Sequence, residues 1–181
     1  MKRRVFLLAL AALPFSTLAA PPPGYYPAQT GISWRYSNGE TQRLEAARVV
    51  RGVTVTPLSH VLGGVTVSQD LMAYRPDGVY LHGVQVGTRV SWYSPPLQVY
   101  PAAPLSPGQT WTSGTAALQL SGRVMGTQAI RTQAGSYNTL VIRSELRTSS
   151  GAGNVQYSYF VPGLGVVRYQ GSDGGTVDLL R

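Results

Sequence analysis

The chain has 181 residues, 15 basic against 7 acidic side chains, and no cysteine. Without cysteine there is no disulfide framework, thiol nucleophile or Cys-based metal site, and no lipid-bearing cysteine of the kind that anchors bacterial lipoproteins. The length suits one domain held by its own core, because a domain of about 150 residues already buries roughly 68–70% of its unfolded surface.

At the start of the chain, Lys2, Arg3 and Arg4 precede the apolar run Val5–Leu13, which Pro14 breaks before Ser16, Thr17, Leu18, Ala19 and Ala20. This three-part order is the pattern of a secretory signal peptide, expected over 1–20 with cleavage at Ala19 or Ala20. The run is half the ~20 residues that a membrane span needs, and no later segment reaches that length. The sequence therefore predicts an exported protein of the periplasm or cell envelope. It would not be a lipoprotein, and it would have no transmembrane segment after signal cleavage. Losing Lys2, Arg3 and Arg4 leaves twelve arginines against seven acids, a net charge of +5 with no lysine. The arginines are scattered from Arg35 to Arg181 without a basic run or nucleic-acid motif, so they read as a solvated surface and nucleic acid is not expected as a partner.

Residues 21–30 read as a Pro-rich lead-in, stiffened by Pro21-Pro22-Pro23. Residues 31–181 read as one antiparallel β domain without helix, punctuated by Gly and Pro at the spacing of short strands. Trp34-Arg35-Tyr36-Ser37 and Glu40-Thr41-Gln42-Arg43 flank Asn38-Gly39, which predicts a type I′ hairpin with Trp34 opposite Arg43 and Tyr36 opposite Thr41. The window Glu40–Arg51 is the most helix-like, but the hairpin claims its first half and it is assigned to strand. Arg75-Pro76-Asp77-Gly78 has Pro and Gly where a type I turn wants them. Val84, Val86, Thr88, Val90 and Trp92 alternate with Gln85, Gly87, Arg89, Ser91 and Tyr93, as in a single strand. Leu118, Leu120, Gly122 and Val124 alternate likewise, as do Leu140, Ile142 and Leu146. Val155, Tyr157, Tyr159 and Val161 form an apolar face opposite Gln156 and Ser158. Ser150–Gly153 and Gly171–Gly175 mark loops. The fold class expected is all-β: a single curved antiparallel sheet or half-open barrel of roughly ten to twelve strands, wet on one face. One internal echo stands out. Tyr26-Pro27 precedes Gly31-Ile32-Ser33-Trp34, and Tyr100-Pro101 precedes Gly108-Gln109-Thr110-Trp111.

Chemistry-bearing residues are sparse. His60 and His82, with Asp70 and Asp77 nearest in sequence, lack metal-ligand spacing, so neither a metal nor a cofactor is expected. Ser59, His60 and Asp77 supply the residue types of a triad, but no Gly-x-Ser-x-Gly elbow accompanies them. Seven acids, two of them in turn sequences, leave little for a glycosidase pair. No catalytic residue is predicted, and a hydrolase is the least favoured reading. Aromatics remain: Tyr74, Tyr80, His82, Trp92 and Tyr93 come from neighbouring expected strands and are the candidate lining of a groove. The plainer alternative is an ordinary β core with aromatic cross-strand pairs.

Four segments carry a family resemblance in preserved order: Tyr25-Tyr26-Pro27 with Gly31-x-Ser33-Trp34-x-Tyr36, then Pro104–Trp111, Ala134–Ile142 and Val161-Pro162-Gly163-Leu164-Gly165-Val166-Val167. Together they resemble bacterial exported β-rich proteins of unknown function, whose motifs are Tyr-Pro, Gly-x-x-Trp, Ala-Gly-Thr-Phe and Pro-Gly-Val-Gly. Gln133 stands where those proteins usually have Pro, and Tyr137 where they have Phe. The resemblance implies a curved antiparallel sheet similar to the half-barrels of periplasmic lipoprotein and lipid carriers, and it transfers no catalytic residue. The function expected is a non-enzymatic envelope protein with a lipid or other apolar ligand on a concave sheet. The alternative is a structural or assembly component that docks an envelope protein.

Overall fold

The computed structural model describes residues 24–180; the expected signal peptide and Pro21–Pro23 lie outside them. The described residues contain no helix. They form thirteen strands: β1 (Ser33–Arg35), β2 (Glu40–Leu44), β3 (Arg48–Val50), β4 (Val53–Leu62), β5 (Val65–Arg75), β6 (Gly78–Val86), β7 (Arg89–Pro101), β8 (Thr110–Gly114), β9 (Leu118–Thr132), β10 (Gly135–Thr148), β11 (Gly153–Val161), β12 (Gly165–Gly171) and β13 (Thr176–Asp178).

The all-β, antiparallel character matches the expectation, but the strands build two sheets and not one. The first half of the chain runs β1-β2-β4-β5-β6-β7, with β3 paired to the free length of β4, and the second half runs β13-β12-β11-β10-β9-β8. The count exceeds ten to twelve because two runs that read as continuous are broken. Val84–Tyr93 is a hairpin, not a strand: Val86 pairs with Arg89 around Gly87-Thr88. Gly87 has φ +57 and Thr88 is not left-handed, the signature of a type II′ turn with Gly first. Within 40–50, Glu45–Ala47 separates two strands: Glu45 N–H still bonds the Pro57 carbonyl (2.9 Å), but Ala46 and Ala47 then stand against Thr56 alone before β3 pairs Arg48 with Val55.

The Asn38-Gly39 hairpin also differs in register. Trp34 pairs with Gln42, not Arg43, and Arg35 with Thr41. Gly39 N–H bonds the Tyr36 carbonyl (3.0 Å) and Gly39 has φ +85, so the loop is a type I turn closed by a left-handed glycine. That third loop residue slips the pairing by one and removes the expected Trp34–Arg43 pair. It also places Glu40 and Gln42 on the face that looks toward the second sheet.

The margins of the two sheets are laced together without closing into one ladder. At one margin Tyr36 bridges Leu179, Ser37 N–H bonds the Asp178 carbonyl (2.8 Å) and Leu180 N–H bonds the Arg35 carbonyl (2.7 Å). At the other, Gln98 N–H bonds Ser113 Oγ (2.7 Å) and the Trp111 indole donates to the Gln98 carbonyl (3.1 Å).

Between the sheets lies a core of Tyr25, Leu105, Trp111, Val124, Ile142, Phe160 and Val166. Tyr25 and Tyr26, in the segment expected as lead-in, pack into it: Tyr25 is buried, its hydroxyl accepts from Leu105 N–H (3.0 Å), and its carbonyl accepts from Gly163 N–H (2.9 Å). A second cluster joins Trp34, Tyr36, Leu44, Ile130, Tyr159, Val167 and Leu179. Adjacent Val166 and Val167 are both buried, one in each cluster, so β12 is covered on both faces. The expectation of one wet face therefore fails locally. On the second sheet, Ile130 and Tyr137 from the far end of the β9–β10 hairpin join Tyr159 and Val167. On the first, Val55, Pro57, Ser59, Leu71 and His82 are buried on the outer side beneath long polar and aromatic side chains. Arg48 there bridges Gln69 and Gln85 (2.8 Å each), and the Arg51 guanidinium lies over the Trp92 ring at 5.8 Å.

Candidate functional site

A cleft of about 490 Å³ opens between the sheets. That lies within the ~300–1,000 Å³ typical of ligand sites. The first sheet supplies one wall through Leu58, Met72, Leu81, Leu97 and Val99, and the second supplies Leu120, Phe160, Val166 and Val177. A smaller hollow of about 390 Å³ is lined only by the β9–β10 hairpin, at Ala129–Arg131 and Ser136–Asn138, so no second element faces it.

Period two explains the cleft's lining. Glu40 and Gln42 of β2, Leu58 and His60 of β4, and Asp70, Met72 and Tyr74 of β5 all project to the same side. Gln42 pairs with His60, and Leu58 with Asp70. A bulge between His60 and Val61 shifts the β4–β5 register by one, bringing Asp70 within reach of the imidazole. His60 Nδ1 then lies 2.6 Å from Glu40 Oε1, and Nε2 lies 3.2 Å from Asp70 Oδ2. Carboxylates only accept, so both ring nitrogens carry protons and His60 is an imidazolium. Burial by itself would lower the His60 pKa; the Asp70 hydrogen bond and charge, then those of Glu40, override it and push it up to about 9. For Glu40, burial works upward, but hydrogen bonds from His60 and Gln42 and the His60 charge bring the carboxyl below its ordinary value.

Tyrosines floor the cleft. The Tyr36 hydroxyl crosses to the Val166 carbonyl (2.8 Å) and the Tyr169 hydroxyl to Gln42 Oε1 (3.2 Å), tying the sheets together. The Trp34 indole crosses in the same sense to the Leu164 carbonyl (2.7 Å). Gly165, at φ +103, lets that ring approach, since a Cβ there would stand 3.3 Å from Pro27 and 3.4 Å from the indole nitrogen. Burial raises the phenols of Tyr74, to about 12, and of Tyr100, so both stay neutral.

The five aromatic positions singled out in the sequence fall on two sides of the first sheet. Tyr74 and Tyr93 line the cleft. Tyr80, His82 and Trp92 do not; they stand together on the outer face, where the His82 and Trp92 rings are 5.3 Å apart and the Arg75 guanidinium lies 5.1 Å over Tyr80. His82 Nε2 is 3.2 Å from Arg75 Nη2 and must accept from it, and burial, then the Arg75 charge, keeps its pKa low. Nor do Ser59, His60 and Asp77 meet. Ser59 is buried on the face of β4 opposite His60 and accepts from Gln69 Nε2 (2.9 Å), and Asp77 sits in the β5–β6 turn bonded to the Tyr80 hydroxyl (3.0 Å).

The polar cluster on the first sheet's wall of the cleft, Glu40, Gln42, His60 and Asp70, escaped sequence reasoning as a group. Their signal was the recurrence of polar residues two apart on three neighbouring strands. Reading it requires knowing that β2, β4 and β5 are adjacent and that the bulge lies at His60. Among the described residues no helix is long and apolar enough to cross a membrane. Comparison with known proteins returned no match: no family model fits the chain, and no curated protein or solved structure is significantly similar to it.

Proposed function

We propose that this is a non-enzymatic exported protein of the cell envelope that binds a largely apolar, amphipathic ligand in the cleft between its two sheets, in the manner of a half-open barrel. The observation that carries the reading is the cleft itself: about 490 Å³, aliphatic and aromatic on both walls, with its ionisable side chains other than tyrosines confined to Glu40, His60 and Asp70. Concave, mainly apolar sites with a few placed polar groups are the usual form of a small-molecule pocket. The signal-peptide pattern of residues 1–20 supports export, and the resemblance to envelope proteins points the same way.

The test is uptake of N-phenyl-1-naphthylamine, a neutral apolar fluorophore, alongside native mass spectrometry of protein purified without detergent. Binding with fluorescence enhancement is expected, and Val99→Trp, which fills the cleft, should abolish it while Val49→Trp on the exposed β3 leaves it intact. No uptake, or uptake indifferent to Val99→Trp, overturns the reading.

A second reading, an envelope component that docks a protein partner, draws on the exposed Leu62, Val65, Val67 and Val86 at the tips of the β4–β5 and β6–β7 hairpins. A stoichiometric partner recovered by native pull-down, and lost on Val65→Lys and Val67→Lys substitution, would favour it.

A further inference from the structure

Charge is partitioned sharply around the cleft. No arginine lines it, although eleven arginines lie among the described residues. Its lining carries two carboxylates, Glu40 and Asp70, and one imidazolium, His60, leaving one negative charge in excess. Glu40 is well occupied, accepting from His60 Nδ1 and from Gln42 Nε2 (3.0 Å). Asp70 accepts from His60 alone among the described hydrogen bonds, and its side chain is 30% exposed, so part of its acceptor capacity is open to a ligand in the cleft. Tyr93 stands close enough for the Asp70 charge, after burial, to raise its phenol.

The aromatic lining points the same way. Trp34, Tyr74, Tyr93, Tyr100 and Phe160 are among the rings around the cleft. Tyr74 and Tyr100 both line the cleft, and neither hydroxyl takes a partner in the described hydrogen bonds. Neutral aromatic faces attract cations through their quadrupole, most strongly where water is displaced. An anionic head group would meet two carboxylates at low local dielectric with no cation other than an imidazolium already shared between them.

We propose that the cleft selects a cationic amphiphile: an ammonium or quaternary ammonium group beside Asp70 and Glu40, with its apolar body running along Met72, Leu81, Leu97 and Phe160. This rests on the reading of the cleft as a ligand site and names the class of ligand.

The experiment is isothermal titration calorimetry of the protein with decyltrimethylammonium, decanoate and decyl glucoside, three probes of one chain length and different head-group charge, each below its micellar concentration. The cation is expected to bind about tenfold tighter than either of the others, and added NaCl should weaken only the cation. Asp70→Asn should lower affinity for the cation about tenfold and leave the glucoside unchanged; Glu40→Gln should act in the same direction. Decanoate or glucoside binding as tightly as the cation to the unaltered protein overturns the proposal while leaving the cleft a ligand site. Selectivity unchanged in an Asp70→Asn variant that still melts cooperatively also overturns it. If none of the three probes binds, both the head-group assignment and the ligand-site reading fall.

Discussion

Tyr26 stacks on Tyr100 with ring centroids 5.3 Å apart and planes 7° from parallel, and its hydroxyl donates to the carbonyl of Pro101, the residue that follows its partner (2.8 Å). The two Tyr-Pro dipeptides that echo each other in the sequence thus meet face to face. Phe160 closes the group at 5.8 and 5.7 Å from the two rings. Tyr26→Phe should cost about 1 kcal/mol through the lost hydrogen bond, and Tyr26→Ala about 3–5 kcal/mol through the vacated volume. Urea unfolding followed by tryptophan fluorescence checks both values.

The two tryptophans of the echoed motif make a matched pair of contacts. Trp34 donates from the first sheet to a carbonyl of the second, and Trp111 from the second to the first. Each ring lies against a glycine. At Gly122 a Cβ would stand 2.1 Å from the Trp111 ring, too close for any ordinary contact. Gly122→Ala should therefore displace the indole, break its bond to Gln98 and destabilise the protein by about 1–3 kcal/mol. Combined with Trp111→Leu, the same substitution should cost less than the sum of the two single changes, read as a double-mutant cycle in denaturant.

The Glu40–His60–Asp70 group should make stability depend on pH in two directions. His60 is raised above its unfolded value of 6.5 to about 9, so its contribution is complete below about pH 6.5 and is lost as pH climbs through 9. Glu40 is lowered, so its contribution is present above its unfolded value of 4.5 and disappears as pH falls through the depressed folded value. The groups facing the imidazole are Glu40 and Gln42 from β2 and Asp70 from β5, with Tyr93 of β7 beside Asp70. Allowing for screening by water in the open cleft, the His60 contribution is on the order of 1–2 kcal/mol. Thermal melts at pH 6 and pH 9.5 should differ by that amount in the protein and converge in His60→Gln.

Arg168 holds Asp178 with two of its nitrogens, Nε to Oδ1 at 2.5 Å and Nη2 to Oδ2 at 2.7 Å, while Nη2 also reaches the Arg131 carbonyl at 3.2 Å. This fork pins the three-residue β13, whose Asp178 carbonyl accepts from Ser37 across the margin. Asp178→Asn should cost about 1 kcal/mol, more than an isolated surface pair, because the contact is bidentate and partly buried. Amide exchange at Ser37 and Leu180 should quicken while exchange in β10 stays slow.

Much of this architecture was legible from turn chemistry. Pro76-Asp77 and the Gly171–Gly175 loop fall where the residues place them, with Arg75 paired to Gly78 and Gly171 N–H bonded to the Gly175 carbonyl (2.9 Å). Errors arose where one residue changes parity. Gly39 adds a loop position, Gly87 turns a run into a hairpin, and the bulges at His60, Leu71 and Val141 exchange inward for outward side chains. Period two carries no memory across such a shift. The face Gln156-Ser158-Phe160 shows the cost for the site. Polar residues alternating with tyrosines read as the wet side of a sheet, yet they line the cleft, and Tyr159 is buried behind them. Of the five aromatics singled out, Tyr74 and Tyr93 face the cleft and Tyr80, His82 and Trp92 face away, a division that depends on strand order and bulges more than on residue type.

The long reach of the first aromatic residues bears on how the chain folds. Tyr25 bonds Leu105 and Gly163, Trp34 bonds Leu164, and Tyr36 bonds Val166, contacts that join residues 80 to 138 positions apart. Each meander can pair locally, hairpin by hairpin, but the aromatic segment that opens the first sheet is locked in place by a turn and a strand late in the second. Such non-local closure raises contact order and slows folding into the millisecond-to-second range. During that interval the first sheet presents its inner, cleft-lining face without a cover, which makes the half-assembled chain the species most exposed to aggregation and to holding chaperones.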